Sequence, residues 1–104
     1  MERLLQLRII TLSGTALDTA CESVRLPLVM GSAAVYPGHA PMLALLERGV
    51  MRWRCKGDIS YAAVSDGTAE VRDDRVTLLV DAAQMAHSAE EARQCAAQFE
   101  ITTP

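Results

Sequence analysis

Aromatic residues are scarce in this chain. They make up 4% of its 104 residues, as Tyr36, Trp53, Tyr61 and Phe99, so a core has to be assembled from Leu, Val, Ile, Ala and Met. An excess of positive charge is missing too: ten Lys and Arg face thirteen Asp and Glu, a net charge of −3 that argues against nucleic acid or anionic lipid as a partner. Cys21, Cys55 and Cys95 show no C-x-x-C or Cys/His spacing, which excludes a disulfide framework and a zinc site and leaves reduced thiols. No apolar run approaches the roughly 20 residues that span a bilayer, and Glu2, Arg3, Gln6 and Arg8 interrupt any signal-peptide core around Leu4 and Leu5. Catalytic signatures are absent as well. There is no G-x-S-x-G elbow and no glycine-rich cradle before a lysine, and His39 and His87 lack a partner at catalytic or ligand spacing. The expectation is a chain with no catalytic residue, no metal and no cofactor.

What is present reads as one domain of short strands, long enough to bury about two thirds of its unfolded surface. Leu5, Leu7 and Ile9 alternate with Gln6 and Arg8, predicting a half-buried strand that ends near Leu12 before Ser13-Gly14. A second strand is predicted over Thr19–Leu26, with Cys21 facing opposite to Val24 and Pro27 ending its pairing. Ser32–Tyr36 is a short run, and Met42–Leu46 is apolar without clear period, compatible with helical turn or strand. Val50–Cys55 and Ile59–Val64 form a hairpin around Lys56-Gly57-Asp58, with Arg52 and Arg54 on a solvated face. Thr68–Arg72 and Arg75–Val80 follow, with Val76, Leu78 and Val80 on one side. Turns every eight to twelve residues indicate a sandwich or flattened barrel.

Two segments break this pattern. Tyr36-Pro37-Gly38-His39-Ala40-Pro41-Met42-Leu43 is a stiff loop, because each proline fixes φ and biases the preceding residue away from helix. Ser88-Ala89-Glu90-Glu91 is a capping box, followed by Ala89, Ala92, Ala96 and Phe99 at helical spacing. The expected organisation is a β-sandwich over 1–86 and a short helix with a tail over 87–104.

The order of these motifs, above all Pro37-Gly38-His39-Ala40-Pro41 with Ala63-Val64-Ser65, Glu70-Val71 and Val76 to Ala83, resembles the epsilon subunit of F-type ATP synthase over roughly residues 5–97. The resemblance implies an all-β, flattened antiparallel sandwich of about ten short strands. It further implies a non-catalytic rotor subunit that bridges the gamma subunit and the c-ring, couples proton flow to ATP synthesis, and sits as a peripheral subunit on the cytoplasmic face of the membrane. Gly31, Ser32, Tyr36, Gly38, His39 and Met42 become interface candidates, with Gly31, Tyr36, Gly38 and His39 expected in one loop. Three departures stand out. Leu28 to Ala34 lacks the acidic residues usual in relatives, and Val29 and Met30 read equally well as interface or as buried. Asp66 stands where a second glycine is typical, which tolerance of the left-handed region by Asp could accommodate. The helical hairpin of relatives is represented only by Ser88 to about Gln98, without its downstream arginines, so helix-extension inhibition and an ATP site are not expected. The alternative is a diverged stand-alone β-sandwich interaction module.

Overall fold

The computed structural model describes residues 3–99. It contains ten strands: β1 Leu5–Thr11, β2 Gly14–Cys21, β3 Ser23–Leu28, β4 Gly31–Val35, β5 Met42–Leu46, β6 Gly49–Cys55, β7 Asp58–Val64, β8 Gly67–Arg72, β9 Arg75–Val80 and β10 Ala83–Ala86. One helix follows, α1 Ala89–Ala97. The ladder runs β10-β7-β6-β3-β5-β8-β9-β1-β2, with β4 also paired to β3. Between its two halves it passes through a single residue pair, Leu28 with Leu46, so the sheet folds there into two layers. The layers approach again at Glu22, whose N–H donates to the Arg54 carbonyl at 2.7 Å. The all-β sandwich expected from the sequence is what forms, with one parallel pair, β1 with β9, among otherwise antiparallel ones.

Alternation supplies the core. Leu5, Leu7 and Ile9 of β1, Val24, Leu26 and Leu28 of β3, Met51 and Trp53 of β6, and Val76, Leu78 and Val80 of β9 all point between the layers and are buried. Each fully buried Leu or Ile contributes about 1.5–3 kcal/mol over leaving it in water. The turns have matching chemistry. Lys56 and Gly57 both have positive φ, as do Asp73 and Asp74, which gives two-residue hairpins whose twist agrees with that of the strands they join.

Three local expectations change. Thr19–Leu26 is not one strand: β2 ends at Cys21, Glu22 turns the corner between the layers, and β3 starts at Ser23. That break shifts the alternation by one, so Cys21 and Val24 are both buried rather than facing opposite ways. Pro27 does not end pairing. It lies within β3 opposite Ser32, and its carbonyl accepts from Glu47 N–H at 2.8 Å, a contact that needs no proline donor. Asp66 has no positive φ; its Oδ1 instead accepts from Arg48 N–H at 2.7 Å.

Helix α1 packs on β6, β7 and β10. Ser88 Oγ accepts from Glu91 N–H at 3.1 Å, while the Glu91 carboxylate reaches back to His87 N–H, one residue before the cap. Ala92 and Ala96 are buried, whereas Ala89 and Phe99 are only half-buried, so the apolar stripe is narrower than its spacing suggested. These small side chains let the helix cover Ala63, which alternation places on the outer side of its layer between the core residues Ala62 and Val64. The end of the expected tail, residues 100–104, lies outside the described residues.

Candidate interaction surfaces

The 36–42 loop owes its shape to its own residues. His39 N–H donates to the Tyr36 carbonyl at 3.1 Å, with Pro37 and Gly38 between them and Gly38 at φ 85°, the geometry of a type II turn that wants proline second and glycine third. His39 is fixed further by a 2.6 Å contact between Nδ1 and the Ala40 carbonyl. A tie the sequence did not announce holds the loop to the β8–β9 hairpin: Asp74 Oδ1 accepts from Gly38 N–H at 2.7 Å, and Asp74 Oδ2 from Arg3 Nε at 2.9 Å. The Gly38 amide, with Arg3 in support, holds the Asp74 carboxyl below the usual aspartate range.

Gly31 and Ser32 do not belong to that loop. They open β4, beside the Val29-Met30 tip of the β3–β4 hairpin, whereas Tyr36, Gly38, His39 and Met42 lie beyond its other end. A five-residue strand spans about 17 Å, so the six candidates form two groups at opposite ends of β4. Gly31, Ser32, Tyr36 and Gly38 are exposed; His39 is half-buried, and Met42 packs against the core. Val29 and Met30 are not buried: their exposures are 60% and 83%.

Sequence reasoning missed the outer face of the β5-β8-β9 layer. Leu45 of β5, Thr68 of β8 and Leu79 of β9 lie in one row, which continues to Ile10 of β1. Leu43 is 77% exposed, Leu45 61% and Leu79 52%. Val29 extends the strip, since its N–H donates to the Leu45 carbonyl at 2.9 Å. The signal was the missing period of Met42–Leu46: Met42, Ala44 and Leu46 face the core while Leu43 and Leu45 face out, so both sides are apolar. The opposite end of the same face is charged and polar, with Gln6, Arg8 and Arg75. Thr68 lies between Leu45 and Leu79 and the exposed Glu70 beside Leu43, so the face carries large exposed apolar side chains on either side of a polar strand, an apolar patch with polar neighbours of the kind that marks a contact surface.

Cys21 is buried, and that burial, with Cys55 close by, pushes its thiol up to about 11, away from nucleophilic use. Cys55 and Cys95 are half-buried free thiols. Among the described residues no group of three or more His, Cys, Asp or Glu could hold a metal ion, and no helix is long and apolar enough to cross a membrane.

Comparison with known proteins gives a consistent answer. Residues 4–86 match the family described as ATP synthase, Delta/Epsilon chain, beta-sandwich domain. The ATP synthase epsilon chain of Symbiobacterium thermophilum is 41% identical over 85 residues, covering 81% of this chain and 61% of that protein. The epsilon chain of Bacillus velezensis is 38% identical over 93 residues, covering 89% and 70% respectively. The chain thus spans between three fifths and seven tenths of the length of these relatives. A chain of the Euglena gracilis mitochondrial ATP synthase shares the fold at a TM-score of 0.75 and 19% identity, over 79% of this chain and 53% of that one. A second shared fold, in the central stalk and c-ring of the Tetrahymena thermophila enzyme, has a TM-score of 0.66 at 13% identity, over 79% and 66%. With the family match over residues 4–86 and epsilon chains 41% and 38% identical, the chain belongs to the ATP synthase delta/epsilon family, and its strands form that family's β-sandwich domain.

Proposed function

We propose that this chain is a non-catalytic central-stalk subunit of an F-type ATP synthase, peripheral to the membrane on its cytoplasmic side, which helps couple proton flow to ATP synthesis. The observation that carries the reading is the set of large apolar side chains, Leu43, Leu45 and Leu79 with Val29, left exposed on one outer face, a face suited to burial against another protein. Its occupant is the gamma subunit. The two ends of β4, Gly31 and Ser32 at one and Tyr36, Gly38 and His39 at the other, frame that face and supply the rim contacts to gamma and the c-ring. Family membership supports this assignment, as do neighbours of the same fold that stand in ATP synthase assemblies containing a c-ring. The mechanical part is stiffness: nonlocal strand pairing and the Asp74 tie fix the loops relative to the sheet, so torque applied at one surface reaches the other without being absorbed by a flexible joint.

Affinity purification of the tagged chain from detergent-solubilised membranes tests this. The gamma subunit should co-purify, and Leu45→Asp should reduce its recovery about tenfold or more, as expected for a charge placed in a desolvated interface centre. Leu45 is the better probe than Met42, because a charge at Met42 would enter the core. A folded wild-type chain that brings down no gamma, or only an unrelated protein, defeats the assignment and favours a stand-alone interaction module.

A further inference from the structure

The other layer carries a second surface, whose arginines take no part in the proposed rotor docking although Tyr36 and Ser32 border both. Arg25 of β3 is paired directly with Arg52 of β6, and Ser23 with Arg54, so three guanidinium groups share one outer face. They line a shallow cleft of about 430 Å³, walled by Tyr36 and Ile59, with the short Ser23 and Ala34 between the longer side chains. Helix α1 covers the adjoining part of this layer at Ala63 and stops short of the arginines.

The charge here has little internal answer. Four ion pairs occur among the described residues, and none uses Arg25, Arg52 or Arg54. Arg25 Nη1 donates only to Ser32 Oγ, at 3.2 Å. One carboxylate lines the cleft, that of Glu22, and it is engaged by Gly57 N–H at 3.2 Å. Like charges on directly opposed strand positions destabilise a sheet, so Arg25 facing Arg52 works against the fold unless an anion from outside joins them. In a chain of net charge −3, such a concentration of unpaired arginine is local rather than general.

The layout of the cations selects the anion. Arg52 and Arg54 are two residues apart on one strand, about 7 Å, and Arg25 lies across from the first. Every second residue of an extended chain repeats at that same interval, so carboxylates on alternate residues can match Arg52 and Arg54 one to one. We infer that this face is a docking groove for an acidic, extended segment of a partner protein, whose carboxylates on alternate residues pair with Arg52, Arg54 and Arg25 while its backbone lies over Ser23 and Ala34. The arginines are on the opposite layer from the exposed leucines and the peptide assay needs no gamma subunit, so this inference is tested separately from the gamma assignment.

The test is fluorescence anisotropy with the full chain and a labelled twelve-residue peptide alternating glutamate and serine. Binding should weaken as salt is raised. Arg52→Gln and Arg54→Gln should each weaken it about tenfold, the effect of removing one charge-assisted contact. Arg8→Gln, on the other layer, should leave it unchanged. All of these positions are exposed, and unaltered thermal unfolding confirms that the variants fold. Absence of peptide binding, equal binding by the arginine variants, or tighter binding of tripolyphosphate or single-stranded DNA than of the peptide overturns the inference.

Discussion

Adding one methyl group at Gly67 tests how tightly the β5-β8-β9 layer is built. Gly67 opens β8, paired with Leu46 on one side and Val80 on the other. A Cβ there would overlap the Leu79 carbonyl oxygen and lie 2.8 Å from Val80 Cγ1 and 3.0 Å from Val80 Cα. Two of these three obstacles are backbone atoms of β9, a strand flanked by β8 and β1, so they cannot swing aside as a side-chain tip would. Overpacking costs about 1–3 kcal/mol, and the upper end applies because the ladder itself has to move. At roughly 4 °C per kcal/mol for a domain of this size, Gly67→Ala should lower Tm by about 12 °C, followed by far-UV circular dichroism. Gly57→Asn is the control: φ is +83° there with nothing within 4 Å of a Cβ, and Asn tolerates the left-handed region, so its Tm should fall by less than about 4 °C. A Gly67→Ala protein melting within 4 °C of wild type would show that the steric reasoning is wrong.

Other expectations concern titration and reactivity. With its thiol at about 11, Cys21 should be thiolate in about one molecule per thousand at pH 8, so a disulfide reagent should leave it unlabelled until denaturant is added; rapid native-state labelling, located by peptide mapping, would contradict its burial. Asp74 is held below the usual aspartate range, so its contribution is present above that range and is lost as pH falls through the depressed value. Asp74→Asn should therefore lower Tm at pH 7 but show a smaller deficit at pH 3, and a deficit that stays constant with pH would mean that the charge is not what ties Gly38 down.

Where side-chain pattern and turn chemistry agree, the fold could be read directly. Val50 to Val64 alternates around Lys56-Gly57, Ser88 precedes Glu91 at the right distance, and Pro37-Gly38 dictates its turn; each is local information. Three features depended on long-range pairing and were not legible. The corner at Glu22 interrupts a continuous strand-like stretch because the chain changes layer there, which only the partners Arg54 and Gly57 reveal. The apolar outer row was hidden by a strand with two apolar sides, since periodicity cannot say which side meets solvent. The candidates Gly31 and His39 looked like one loop, being eight residues apart, until Gly31–Val35 proved to be an extended element that separates them.

The parallel pairing of β1 with β9 sets a timetable for biogenesis. Gln6 meets Arg75 and Ile10 meets Leu79, contacts across most of the chain, so β1 and its hairpin partner β2 lack their third neighbour until residue 79 is available. A nascent chain therefore carries that edge of β1 unpaired until β9 has emerged, and this pairing forms only after the first eight strands have been made.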